Sequence, residues 1–464
     1  MYLPSVITLL VAASPCAVAA LPLPADPLLE ELLRQTLETV PELHRARRAV
    51  DVEEARVPQA GALPDPSVQV GIQNDGFSRI EVGRMPMSFV QLMASQTFPW
   101  LGKRGLRQDA AALDVALAAQ AHRRVRLSLE AEVRRAYLEL LFVRDRLALL
   151  DELEVIWERS LGVARTRYEG GDGAQSDVLR AQLERTRIAQ RRLMLVARER
   201  TLVQLLNRLR GKPLAAPLET RMKVEGLPDP KTLMGVFSWE RVLKESPDLA
   251  AARIAEARAD KGLALAEKAY FPDLTVSAGV MVRGSLPPMW VASVGGPLPL
   301  FASRKQGRAV DESRAARAVA AHSVAVVEDL LRLRTQERRT AFEAQLDTLA
   351  LYAHGLLVQS EATRESTLSQ YKVGRVSFAS VLEANAGVIA DREGYLAALA
   401  DSHRLLIAEA EMSLSSVVPG AASAPSAAMP GADEAPVAPP SSPGRGATPV
   451  PALAPAGGSS MPTM

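Results

Sequence analysis

The sequence predicts a mainly α-helical chain written as two tandem copies of one unit, each carrying a pair of short strands of membrane-crossing length. Three observations predict it. A set of landmarks recurs after about 200 residues, two runs in each copy alternate apolar and polar residues at period two, and long heptad-patterned runs contain no proline. The chain has 464 residues, too many for one ordinary domain, and its Leu, Val and Ala content excludes disorder over most of its length. Its 55 Lys+Arg balance 53 Asp+Glu, so it lacks the basic excess of a nucleic-acid binder. The single Cys, Cys16, excludes an internal disulfide and any Cys-based metal site. His44, His122, His322, His354 and His403 are scattered without metal-ligand spacing. With no constellation of polar groups for catalysis, the sequence reads as a non-enzyme, with no cofactor.

The duplication is carried by ordered pairs. Val40-Pro41-Glu42-Leu43 is echoed by Ser246-Pro247-Asp248-Leu249, and Leu63-Pro64-Asp65-Pro66 by Phe271-Pro272-Asp273-Leu274. Phe98-Pro99-Trp100 with Gly102-Lys103-Arg104 matches Leu298-Pro299-Leu300 with Ser303-Arg304-Lys305. The stretch from Tyr168 matches that from Tyr371 at a constant offset of 203, sharing Gly171/Gly374, Val178/Val381, Leu179/Leu382 and Ala181/Ala384. A repeat of this length is too long for a solenoid. The units predicted are 20–211 and 230–416, joined by a linker over 212–229.

Each unit begins with a moderate helix, over 27–60 and 230–268. Strands follow over 66–74 and 88–97, then over 274–283 and 289–298. Ser67–Gln73 and Leu274–Val280 alternate at period two, and the strands approach the roughly 9–11 residues that a tilted strand needs to cross a bilayer. Pro66 and Pro272 stand at strand entrances, where a missing N–H is tolerated.

Long helices come next. From Lys103 to Arg167 there is no proline, and Leu129, Val133, Ala136, Leu140, Val143, Leu147, Leu150, Trp157 and Leu161 form a heptad seam interrupted by Glu154. At about 1.5 Å per residue this helix approaches 100 Å. A turn at 170–173 leads to a second helix ending near Gly211; the second unit repeats the hairpin over 305–370 and 377–416. Leu382, Ala386, Ile389, Leu396, Ala400, Ile407 and Ala410 form its last seam. A plain antiparallel coiled coil satisfies the same periodicity.

The strand pairs separate the two readings. Four strands cannot close a barrel and an open edge cannot face lipid, so strands in a membrane require several chains per barrel. Phe77, Phe89, Phe98, Trp100, Tyr270, Phe271, Trp290 and Phe301 cluster at the strand regions, as interfacial girdles require. The other reading is a small soluble sheet with aromatic core residues.

At the N-terminus, Val6–Ala13 is an apolar run of signal-peptide length and Ala17-Val18-Ala19 a small-x-small cleavage pattern, although no Lys or Arg precedes them; residues 1–19 are expected to be an export signal. A buried terminal strand or helix is the structural alternative. Cys16 is a lipidation candidate, against a Cys lost with the signal; Pro15 fits lipidation poorly. Residues 417–464, rich in Ala, Pro and Ser, are expected to form a disordered tail.

This order resembles the outer membrane factor family of TolC-type efflux ducts across roughly residues 27–416. The residues that carry it are Leu63–Pro66, Gln96–Arg104 and the turns from Tyr168 and Tyr371. The Phe-Pro-Trp-x-Gly-Lys-Arg string is similar to the heavy-metal efflux branch, the CzcC and CusC type. The resemblance implies a homotrimer sharing a 12-stranded barrel in outer membrane lipid, above an α-helical periplasmic tunnel. It also implies a periplasmic adaptor and an inner-membrane pump of the proton-driven RND type as partners. The duct itself would be passive and gated, with heavy-metal cations one possible cargo.

The resemblance places tunnel tips at the two turns. Glu383 occupies the place of one family gate carboxylate, while the neighbouring gate position holds Ser380. Asp177 matches an acidic position that pairs with a basic residue on the neighbouring turn, for which Arg375 is the nearest candidate, though off the family's own position. Three converging Glu383 side chains would repel when ionised and favour cations. Helix-cap and solvated-surface roles compete for Asp177 and Glu383. Gly171 and Gly374 suit turns that need positive φ. Gly170, Gly171, Gly173, Gly374, Val376 and Ser377 are the candidate adaptor-docking turns. Met85, Met87 and Met289 carry thioethers suited to Cu(I), but unpaired spacing favours loop packing, and no metal site is assigned. A poreless periplasmic adaptor or scaffold, and a duct for type I polypeptide secretion, are the competing functions.

Overall fold

Proline sets the first breaks in the chain. A computed structural model describes residues 26–415; the expected export signal with Cys16, and the expected tail, lie outside the described residues. Helix α1 (Pro27–Thr39) is capped by Asp26, whose carboxylate accepts from Leu28 N at 3.0 Å. The helix expected over 27–60 is in fact two, because Val40 precedes Pro41 and is held extended; α2 (Pro41–Gly61) restarts with proline at its first turn. The helix expected over 230–268 breaks the same way. A 3-10 turn over Pro230–Val236 precedes α5 (Trp239–Glu245), and Ser246-Pro247 separates α5 from α6 (Pro247–Lys268). The repeated Val-Pro and Ser-Pro landmarks are therefore helix junctions.

The strands are β1 (Ser67–Gln73), β2 (Phe89–Phe98), β3 (Leu274–Arg283) and β4 (Leu286–Gly295), in one antiparallel sheet of order β1-β2-β3-β4. β4 begins and ends three residues before the expected 289–298. Gly284, at φ +62°, closes a tight turn whose register returns Leu286 opposite Arg283, so Pro287 and Pro288 fall inside the strand. The register gathers one face that is almost wholly apolar and an opposite face that mixes Ser, Thr and Gln with Phe89, Met93, Met281, Met289 and Val291. One face carries Val68, Val70 and Ile72, then Val90, Leu92, Ala94 and Phe98, then Val276, Ala278 and Val280, then Trp290, Ala292 and Val294. Gln96 is the polar exception on this face. The opposite face aligns Ser67, Ser95, Ser277 and Ser293 across all four strands, with Thr97 Oγ1 3.0 Å from Thr275 Oγ1. An exposed apolar face backed by a more polar one is the pattern of a barrel wall between lipid and a wet lumen.

Below the sheet, α3 (Lys103–Glu169) runs 67 residues and returns as α4 (Gln175–Leu209). In the second unit, α7 (Gln306–Leu351) passes through a π-helical turn at Tyr352–Leu356 into α8 (Leu357–Lys372), and α9 (Phe378–Glu411) returns. The expected unbroken run over 305–370 is thus interrupted. From the first residue of α3 and α7 to the last of α3 and α8, both descending arms span the same length, at the 203-residue offset.

α3 and α9 form the central pair, with α4 flanking α3 and α8 flanking α9. Their seam buries Val133, Leu140, Leu150, Leu153, Trp157, Ile389, Leu396 and Ala400. Leu153 and Ala164 join it beyond expectation, whereas Ala386 points to solvent and Val381, Asn385 and Val388 take the buried positions. The last turn of α9 is held by polar groups. Glu409, fully buried, pairs with Arg338 at 3.2 Å and accepts from Thr335; Glu411 accepts from Arg124, Ser128 and Arg135. The left-handed Met412, at φ 52°, then ends the helix.

Candidate functional site

The two helical turns are built alike and clasp each other. In the first, Gly171 takes φ +81°, Gly171 N donates to Tyr168 O and Asp172 N to Arg167 O. In the second, Gly374 takes φ +76°, Gly374 N donates to Tyr371 O and Arg375 N to Gln370 O. Each bond falls at the same 203-residue offset, so the duplication extends to individual backbone contacts. A side chain on Gly171 or Gly374 would be strained by the left-handed backbone. Gly170 keeps ordinary helical angles as the cap of α3, and a Cβ on Gly173 would come within 2.9 Å of Tyr168 N.

A small core joins the turns. Ala164, Ala181, Tyr371, Phe378 and Val381 are buried together, with Val376 packed partly against them, and the Tyr371 and Phe378 rings lie 5.2 Å apart. Ser377 is the extended residue that begins α9. Tyr371 Oη donates to Asp177 Oδ2 at 3.1 Å, linking the second turn to the helix after the first. Burial first, and then the Asp177 carboxylate, push the Tyr371 hydroxyl up to about 12, so it stays a donor at any physiological pH.

Within the chain, Asp177 is therefore joined to Tyr371 and not to Arg375. Arg375 is exposed and makes no ion pair among the described residues; Glu383, exposed on the first turns of α9, makes none either. The basic group at this tip is Arg167. Its Nη1 donates to Tyr371 O at 2.6 Å, its Nη2 to Asp172 O at 2.9 Å, and its guanidinium lies 4.7 Å from the Tyr371 ring centroid. Sequence reading missed Arg167, because its partners are backbone oxygens 5 and 204 residues away and no side-chain pattern marks them.

A second joint lies where sheet meets helices. Gly102, at φ +89°, turns the chain after β2 so that Lys103 begins α3. The buried Lys103 Nζ donates to Asp273 Oδ1 and Phe271 O, each at 2.7 Å, and Trp100 N donates to the same carboxylate oxygen at 2.9 Å. The Trp100 and Phe271 rings stack at 5.2 Å. Burial pushes the Asp273 carboxyl up, and Lys103 and Trp100 more than reverse it, leaving the group below its ordinary value. The Phe-Pro-Trp-x-Gly-Lys-Arg string and the Phe-Pro-Asp landmark are thus two halves of one joint. Trp290, Phe301 and Phe77 are exposed, as the aromatic girdle anticipates, but Phe89 is buried at 5% exposure and belongs to the core.

Among the described residues no helix is long and apolar enough to cross a membrane, and no cluster of His, Cys, Asp or Glu has metal-holding geometry. Among the described residues the chain is thus a two-faced sheet whose edge strands β1 and β4 have no further strand beside them, standing on long helices that end in clasped turns. Residues 32–211 match the family model described as outer membrane efflux protein. A solved membrane protein from Pseudomonas aeruginosa superposes with a TM-score of 0.71 at 16% identity, over 84% of this chain and 92% of that one. The outer membrane protein VceC of Vibrio cholerae gives 0.69 at 16% identity, over 82% and 95%. CusC, solved for the changes accompanying folding and transmembrane channel formation, gives 0.68 at 15% identity, over 83% and 92%. No curated protein matches the chain in sequence.

Members of that family are outer-membrane efflux channels rather than enzymes, and the solved structures similar to this chain share its fold. Channels of this family are homotrimers that work with adaptor proteins and inner-membrane pumps.

Proposed function

We propose that this chain forms the passive, gated outer duct of a tripartite efflux system driven by an RND-type pump, carrying cations among its cargo. The observation that carries the duct reading is the sheet's exposed apolar face, continuous across all four strands and backed by a more polar face on which a row of serines is aligned. Such a sheet is stable in lipid only when neighbouring copies satisfy its edges. The polar face then lines a channel and the energy for transport comes from elsewhere. The resemblance of the Phe98–Arg104 string to the heavy-metal branch supports the cation cargo and the pump class.

The tunnel closes, on this reading, at the clasped turns. Arg167 and Tyr371 hold the two turns of one copy together, and Glu383 and Arg375 are left to face other copies or the adaptor. The turns at 170–173 and 374–377 are the adaptor-docking tips.

The test is electrical. Purified protein added to a planar bilayer should give discrete conductance steps that favour cations. A preparation that inserts yet conducts nothing, while retaining its helical content, would contradict the duct.

A further inference from the structure

The Lys103–Asp273 joint is one instance of a device for which the chain holds the parts twice. Its acidic half, Asp273, immediately precedes β3; its basic half, Lys103, follows β2, the strand paired with β3. The duplication supplies a second acidic half, Asp65, two residues before β1, and a second basic half, Arg304-Lys305, after β4. Within one chain these cannot meet, because β1 and β4 are the opposite edges of the sheet. Asp65, Arg304 and Lys305 are all exposed, and among the described residues none makes an ion pair or a side-chain hydrogen bond.

The turn after β4 differs in one respect. Phe98 and Leu298 are 200 residues apart, whereas the helix starts at Lys103 and Gln306 are 203 apart. The three additional residues place Arg304 and Lys305 in the turn itself rather than at the head of the helix. The helices beneath repeat the asymmetry: α3 is packed by both α2 and α6, whereas α7 has α6 without an α2. Val319 and Val326 of α7, at 66% and 64% exposure, and Val52 of α2, at 50%, are left uncovered.

We infer that Asp65 of one copy accepts a salt bridge from the Arg304-Lys305 pair of the neighbouring copy, so that β4 meets the next copy's β1 as β2 meets β3 inside the chain. The inference rests on the homotrimeric duct proposed above and assigns residues to its seam. The occupant is a second copy because one edge carries the acidic half and the other the basic half. Antiparallel pairing of β4 with β1 brings the two halves to the same end of the sheet. Docking would bury the pair beside new apolar contacts, where leaving either charge without its partner costs more than on a free surface. A closed ring contains the pair once per copy.

The test is charge inversion in the full chain, assembled in outer membranes and extracted in mild detergent. Asp65→Lys, Arg304→Asp with Lys305→Asp, and all three together are compared with the unaltered protein. The readout is the temperature at which trimer gives way to monomer on a semi-native gel, with helical content followed by circular dichroism. Asp65→Asn provides a milder variant should an inverted charge prevent assembly. The expected result is a lower dissociation temperature for Asp65→Asn and for each inversion, with most of the loss recovered in the combined variant. Trimers as resistant in Asp65→Asn as in the unaltered chain, or a combined variant no better than its parts, would overturn the pair while leaving the trimeric duct standing. An unaltered chain that is monomeric after extraction would overturn both.

Discussion

Tyr371 Oη and Asp177 Oδ2 meet at 3.1 Å across the two repeats, between residues 194 positions apart in sequence. The bond ties the end of one helical hairpin to the beginning of the return helix of the other. A hydrogen bond to a charged group contributes roughly 1.5–3 kcal/mol. Tyr371→Phe keeps the ring against Phe378 and removes only this bond. It is expected to raise single-channel conductance or open probability while leaving folding intact. Recordings indistinguishable from the unaltered protein would show that the tip is held elsewhere.

Arg167 offers a stronger handle on the same tip. Arg167→Ala leaves the Tyr371 and Asp172 carbonyls without their donor and strips the face of the Tyr371 ring. A larger conductance change than that of Tyr371→Phe is expected, with faster proteolysis at the turns. Equal effects of the two variants would mean that the clasp depends on the phenol alone.

Glu383 is exposed and makes no ion pair among the described residues, one turn beyond the buried Phe378. If the three copies bring it to a common axis, Glu383→Ala should raise conductance or weaken block by multivalent cations in planar bilayers. Unchanged conductance and unchanged block would remove Glu383 from the gate.

His403 is fully buried on α9, and neither ring nitrogen has a hydrogen-bond partner among the described residues. Burial therefore lowers its pKa to about 4. The sign follows from where the proton binds. As pH falls below the ordinary histidine value of about 6.5, the unfolded chain takes up a proton that the fold refuses, and stability drops until pH approaches 4. The full effect is about 3 kcal/mol on this arithmetic. His403→Leu should flatten the melting temperature between pH 6.5 and 4; a profile as steep as that of the unaltered protein would place the acid sensitivity in another group.

Arg338 and Glu409 are 2% and 0% exposed. Burial pushes Glu409 up and Arg338 down, and their contact counters both. Removing one partner leaves a buried charge, so Glu409→Leu should cost about 3–5 kcal/mol, whereas Arg338→Met with Glu409→Leu should recover most of it. Thermal unfolding followed by circular dichroism separates these outcomes. A double variant as unstable as the single would mean that Arg338 acts through Ser413 and Ser415, whose carbonyls it also reaches.

Much of this architecture was legible because it rests on periodicity. The strand alternation at Ser67–Gln73 and Leu274–Val280, and the 203-residue echo from Tyr168 to Tyr371, follow from side-chain pattern alone. The helix breaks at Pro41 and Pro247 were present in the landmarks and needed only the rule that a residue before proline avoids the helical region. The start of β4 was hidden by Pro287 and Pro288, which read as a loop until Gly284 and the register showed the hairpin closing ahead of them. Asp177 was legible as a tip carboxylate, but its partner was not. The resemblance suggested Arg375 as the nearest basic candidate, whereas the fold supplies a phenol and engages its nearby cation, Arg167, with backbone carbonyls.

The central claim, a duct assembled from several copies in the outer membrane, is tested most directly by counting subunits. Native mass spectrometry of the protein extracted from outer membranes in mild detergent should give particles of three chains. A monomer recovered from the soluble periplasmic fraction would contradict the shared barrel and leave a helical scaffold without a pore.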